Sequence, residues 1–282
     1  MIADQKDFIT PHIADSHTLD LPCFKPGFVC EYELPRWNPI HIGGLTLDIS
    51  PTRHVVMLWV AAGLCLVFSL LALRGHNRHA RQGKAPGGLG GSFEAMVLYL
   101  RNEVVLPNVG AHGNGFVPYL LTLFFFILFA NLLGLIPYGA TATGNISVTA
   151  TLAIVTFVVI EVAGMRSLGK AYINTIVFWP HDMSLGMKIF ISPILTPIEI
   201  IGKLTKPFAL AIRLFANMIS GHVVLLALIS LIFTFATWIL VPLPIAMALG
   251  IAMLELFVAF LQAFIFMLLS AVFIGLIRES AH

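Results

Sequence analysis

LFANMISGHVVLLALISLIFTFATWILVPLPIAMALGIAML, residues 214–254, contains a single titratable side chain, His222. The run is roughly twice the length a helix needs to cross the hydrocarbon of a bilayer. A water-soluble core could not absorb several such stretches in a chain of 282 residues, so this one reads as membrane. Pro242 and Pro244 interrupt it, because proline has no amide N–H and clashes with the preceding turn. The run therefore divides into two long helices joined by an outward turn. A second clean stretch, Leu256–Ile277, extends the later helix, and both helices are expected to be strongly tilted.

The rest of the chain has the same character. Hydrophobic residues make up 58% of it and charged residues 11%, with a mean hydropathy of +0.93. Val55–Leu73 (VVMLWVAAGLCLVFSLLAL) is an uncharged run of spanning length, Phe116–Pro137 is a second, and Ile146–Met165 is a third. The fold class is all-α integral membrane, with about five to six helices and an interfacial amphipathic segment, SFEAMVLYLRNEVV at 92–105, too charged to span. Four regions follow: an extramembrane, loosely structured arm over 1–54, the first transmembrane helix over 55–73, a cytoplasmic loop and interfacial helix over 74–115, and the main membrane domain over 116–282. Residues 171–192, with Trp179, Pro180, His181, Asp182 and Lys188, read as interfacial.

Charge sets the expected orientation. Arg74, Arg78, Arg81 and Lys84 follow the first span, and Arg166 and Lys170 follow the third, whereas the YGATATGNIS loop before the third span has no charge. The positive-inside rule puts the basic loops in the cytoplasm, the amino terminus outside and the carboxy terminus in the cytoplasm. The net charge of +2 is dispersed beside apolar spans and carries no nucleic-acid signal. The polar start, MIADQKDFIT, lacks the pattern of a cleavable signal, so the first span is expected to be retained. Cys23, Cys30 and Cys65 fit no metal-ligand spacing; Cys65 is a small apolar-run residue, and a Cys23–Cys30 disulfide is possible if the arm faces an oxidising compartment.

The chemistry lies in TPIEIIGKLTKPFALAIRLFANMISGH, residues 196–222. Glu199, Lys206, Arg213 and Ser220 recur every seven residues, which at about 100° per residue returns them to one helix face. Asn217 lies close to that stripe, whereas His222 points roughly opposite unless Gly221 loosens the helix, so periodicity alone does not place it. Arg213, flanked by uncharged PFALAI and LFANMISG, has no partner near it in sequence. A charge at mid-bilayer costs roughly 2.5–3.5 kcal/mol on insertion scales, so it calls for a partner or a water path. Glu199 and Lys203 also fit an i, i+4 surface pair, and Lys203 and Lys206 fit snorkelling anchors. The later helix carries Glu255 and Gln262, again seven apart, and Glu161 reads as interfacial at the inner end of the third span.

The run RLFANMISGH at 213–222, Glu255 and LQAFIF at 261–266, together with FANLLGLIP at 129–137 and NISVT at 145–149, resembles the a subunit of the F-type ATP synthase membrane sector, called subunit 6 in mitochondria. The likeness runs from about residue 90 to the end. It implies a proton-conducting stator subunit that forms two offset half-channels against a rotating ring of c subunits, with Arg213 as the gate. By alignment on the motif, Asn217, His222, Glu255 and Gln262 match outer half-channel positions, Ser220 continues the stripe, and Glu199 matches an acid associated with the inner path. Many bacterial members carry Glu at the position of His222 and His at the position of Glu255; here the two are exchanged, as in mitochondrial relatives, which argues for a coupled pair. The resemblance also implies peripheral-stalk b subunits and membrane lipid as partners, a bacterial inner membrane as the location, and neither a cofactor nor a nucleotide-binding or catalytic site in this chain.

The residue types suit that task. A guanidinium does not release its proton, so Arg213 cannot be a stepping stone; its fixed charge favours the ionised form of a passing ring carboxylate and bars leakage. Imidazole and carboxylate have intrinsic pKa values of about 6.5 and 4.3, suited to relay. The drive is about 2.3 kcal/mol per charge per 100 mV, so several protons must be pooled to match one phosphoanhydride. A stand-alone ion channel or secondary transporter is the alternative, though no paired broken-helix repeats stand out. An intramembrane metalloprotease would need an HExxH pair, which the sequence lacks. GMRSLGKA at 164–171 nearly fits a phosphate loop, but Ala171 stands where Ser or Thr is required.

Overall fold

The computed structural model describes residues 15–22, 29–42, 45–48, 50–81, 88–110, 113–136, 141–175, 185–235 and 241–279. Among them, five helices are long and apolar enough to cross a bilayer: Arg53–Leu71, Gly113–Gly134, Ile146–Leu168, Phe190–Leu231 and Pro242–Arg278. In element order, hairpin strands β1 (Thr18–Pro22), β2 (Val29–Glu33), β3 (Ile40–Ile42) and β4 (Leu45–Leu47) precede helices α1 (Arg53–Arg81), α2 (Gly88–Tyr99), α3 (Val117–Gly134), α4 (Ile146–Leu168), α5 (Leu185–Phe235) and α6 (Pro242–Glu279). The all-α membrane class stands.

Local sequence explains the boundaries. Pro118 and Pro242 occupy first-turn positions, where a missing N–H costs nothing. Helix α4 ends at Gly169, whose φ of +55° is the left-handed cap conformation that glycine accepts. Helix α5 has 51 residues and α6 has 38, whereas about 20 suffice to span. Much of each must therefore run obliquely or along the bilayer, as a length excess requires.

Two expectations need correction. The amino-terminal arm is not loose throughout: β1 pairs antiparallel with β2 in the register Thr18↔Glu33, and β3 with β4 in the register Ile40↔Leu47. The basic cluster after the first span does not begin a loop, because α1 runs on through Arg74 and Arg78 to Arg81. Residues 185–192 form the start of α5. Cys23, Lys84, Trp179, Pro180, His181 and Asp182 lie outside the described residues, as does the Cys30 side chain.

The chain divides into two compact units. One comprises Met1–Leu71, Phe125–Asn145 and Leu214–Ala263; the other comprises Ala72–Phe124, Ile146–Arg213 and Phe264–His282. In the first unit the arm is tied to the start of α1, with His54 Nδ1 2.7 Å from Asp15 Oδ1 and the Arg53 amide donating to the Ser16 carbonyl at 3.0 Å. Phe68 of α1 meets Phe129 of α3 edge-on, with centroids 5.5 Å apart.

In the second unit α2 passes into a π-helical turn, Leu100–Val105, and then a last helical turn, Leu106–Val109. The segment expected to lie at the interface is thus helical, with Leu100, Val104 and Val105 buried. Arg278 near the end of α6 donates to the Val109 carbonyl at 3.2 Å. Gly275 lets the backbone at Asn108 come so close that any side chain there would collide with its carbonyl.

Candidate functional site: two polar clusters and an exposed arginine

Every member of the seven-residue stripe, Glu199, Lys206, Arg213 and Ser220, is exposed. The opposite face of α5 is what packs, through buried Pro207, Leu210, Ala211, Leu214 and Met218, the i, i+3/i+4 spacing of an amphipathic helix. Around Arg213 the exposed face is apolar, with Phe208 63% and Ile212 40% exposed. Among the described residues Arg213 has no ion-pair or hydrogen-bond partner.

The first unit gathers His222, Glu255, Asn217 and Gln262. Glu255 and Gln262 of α6 are each only 6% exposed. Both Glu255 carboxylate oxygens are buried, without a hydrogen-bond partner among the described residues. The carboxylate sits against Gly221, where an added Cβ would strike Oε1. It thus meets α5 one residue from His222. The His222 ring itself hydrogen-bonds through Nε2 to the Thr141 hydroxyl. Asn217 is half-buried, and its backbone carbonyl accepts from the Ser220 hydroxyl at 3.0 Å.

Thr141 belongs to a polar network that the sequence reading missed. The turn Ala142–Gly144 follows it, and buried Thr143 donates to Asn131 Oδ1 at 2.7 Å while Asn131 Nδ2 donates to the Ala259 carbonyl of α6 at 3.2 Å. Asn131 and Thr143 are fully buried. An asparagine within the apolar run of α3 was the one available signal, since a buried amide must be satisfied.

The second unit holds a different cluster. A pocket of about 200 Å³ is lined by Thr156 and Glu161 of α4, Glu199, Lys203 and Lys206 of α5, and Phe273 of α6, among others. Lys203 Nζ lies 3.8 Å from Glu161 Oε2, donates to Thr175 Oγ1 at 3.0 Å, and stands 4.9 Å from the Tyr172 ring centroid. Lys206 stands 4.9 Å from the Phe273 ring. Neither lysine pairs with Glu199, and Glu161 is the ion-pair partner of Lys203.

Five helices of spanning length, with titratable groups set within them, some buried and one cation without a partner among the described residues, define the class as a multi-pass membrane protein. A family model described as ATP synthase A chain matches residues 55–275, and the chain belongs to that family. It is 45% identical to the ATP synthase subunit a of Chloroherpeton thalassium over 94% of this chain and 74% of that protein. It is 47% identical to ATP synthase subunit a 2 of Prosthecochloris aestuarii over 98% of this chain and 80% of that one. The identity to ATP synthase subunit a of Anaeromyxobacter dehalogenans is 43%, over 94% and 67%. Membership assigns a non-catalytic membrane subunit in the membrane sector of the F-type ATP synthase.

Proposed function

We propose that this chain conducts protons as the stator of a rotary motor, through two offset half-channels facing a ring of c subunits, with Arg213 as the gate. The observation that carries the reading is the exposed guanidinium with no partner of its own chain among the described residues. A cation so placed in an apolar helix face is costly unless a mobile acid of another polypeptide meets it. It cannot carry a proton, but it stabilises the ionised ring carboxylate opposite and separates the two aqueous paths.

Glu255, His222, Asn217, Gln262 and Ser220 serve the outer path. No fixed hydrogen bond ties Glu255 down among the described residues, which leaves it able to take up and release a proton, and the His222 ring is oriented by Thr141. Glu199 serves the inner path, and the pocket it lines is wide enough to admit water. The peripheral-stalk b subunits hold the chain against the ring's torque. Its place is a bacterial inner membrane, with the amino terminus outside and the carboxy terminus in the cytoplasm.

Replacing Arg213 with alanine tests the gate. The complex is expected to assemble while ATP-driven proton pumping into inverted vesicles is lost; an assembled Arg213→Ala complex that pumps at the parental rate overturns the reading.

A further inference from the structure

The pocket in the second unit holds two acids in unlike circumstances. Glu161 faces the Lys203 ammonium at 3.8 Å, with only 17% and 14% of the two side chains exposed. Glu199 lines the same pocket and has no ion-pair or hydrogen-bond partner among the described residues. Sequence spacing favours the opposite outcome, since Glu199 and Lys203 are four apart on one helix and within easy reach. Tertiary contacts decide instead. Glu161, the Thr175 hydroxyl and the Tyr172 ring together draw the ammonium towards α4 and the turn after it. Lys206 lies over Phe273, so neither cation of the lining neutralises Glu199.

A proton delivered to Glu161 would break its pair and strand a largely buried ammonium, and removing one partner of such a pair costs far more than removing both. A proton on Glu199 would break nothing. We propose that the Lys203–Glu161 pair is a positioning lock: it withholds Glu161 from proton traffic and pins α5 to α4 beside Glu199, so that one acid alone exchanges protons with water in the pocket. This rests on the reading of the pocket as the inner path.

The test compares Lys203→Met, Lys203→Arg and the double variant Lys203→Met/Glu161→Gln in the whole complex. Three quantities are read: copurification of the subunits, ATP-driven pumping, and the pH profile of passive proton flow through the membrane sector. Lys203→Met is expected to slow flow severalfold and to add a titrating step to the profile, because it releases Glu161. The double variant should lose that step, and Lys203→Arg should keep the parental profile. An assembled Lys203→Met complex with the parental rate and profile overturns the lock, as does an extra step that persists without Glu161. Should Lys203→Met fail to assemble, rescue of assembly by the added Glu161→Gln supports the lock, and continued failure of the double variant overturns it. Glu199→Gln in the same assay separates the two readings. If it slows passive flow and changes its pH profile while the lock fails, the path reading stands; if it keeps the parental rate and profile, the path reading falls whatever the pair does.

Discussion

The carboxylate of Glu255 on α6 lies against the Cα of Gly221 on α5, in space that any side chain at position 221 would occupy. The glycine is a seat, and it brings a buried acid to the residue next to His222.

That contact predicts a steep response to a single methyl group. Gly221→Ala should displace the carboxylate at an overpacking cost of about 1–3 kcal/mol, leaving the complex assembled but its ATP-driven acidification of inverted vesicles severalfold slower. Full-rate acidification by the alanine variant would mean that the carboxylate does not need this position.

Glu255→Gln keeps shape and removes the titrating group. Proton transport should slow, and the deficit should vary with pH between about 6 and 9, near the range where carboxylate and imidazole relays operate. A constant rate ratio to the parent across that range would take Glu255 out of the path.

The Asn131 network should be a stability element. Asn131→Leu removes the acceptor of the buried Thr143 hydroxyl, at a cost of about 1–3 kcal/mol, and the second bond to the Ala259 carbonyl, which keeps its place in the α6 ladder. Thermal unfolding of the purified chain in detergent should show a lowered Tm. The double variant Asn131→Leu/Thr143→Val should lose less than the sum of the singles, because the two share a bond; strict additivity would show that the network is not coupled.

In the arm, hydrogen bonds from the Ser50 hydroxyl and amide hold the exposed Asp48 carboxyl below its ordinary value. A carboxylate depressed in the folded state stabilises the fold above its unfolded pKa of about 3.9, and that contribution disappears as pH falls through the folded value. Cleavage of the arm by an acid-active protease should therefore accelerate on acidification below about pH 4, and Asp48→Asn should show a shallower acceleration. Identical pH dependence in both would remove Asp48 as the cause.

What the sequence made legible follows from periodicity and cost. Runs free of charge announced the spans, and the seven-residue recurrence of Glu199, Lys206, Arg213 and Ser220 announced that they share one face of α5; that this face stands exposed was not legible in the spacing. Pairings across elements were not legible. Lys203 had a plausible neighbour four residues away in Glu199, and nothing local revealed that Glu161, 42 positions earlier, would take it. Thr141 and Thr143 looked like an uncharged loop, because their significance depends on where Asn131 and His222 arrive. The arm hairpins were hidden by the shortness of their strands: TLDLP, IHI and LTL alternate apolar with polar residues, but over only three to five positions, too few for a period to stand out.

One property of α5 bears on how force is borne. Its prolines, Pro193, Pro197 and Pro207, all precede Arg213, and none interrupts the stretch from there to Phe235. Each proline deletes a backbone hydrogen bond and invites a bend, so the backbone ladder of α5 is interrupted before Arg213 and unbroken by proline after it. Under the proposed motor reading, a push from the ring at Arg213 would therefore meet a continuous run of backbone hydrogen bonds on the side that carries His222.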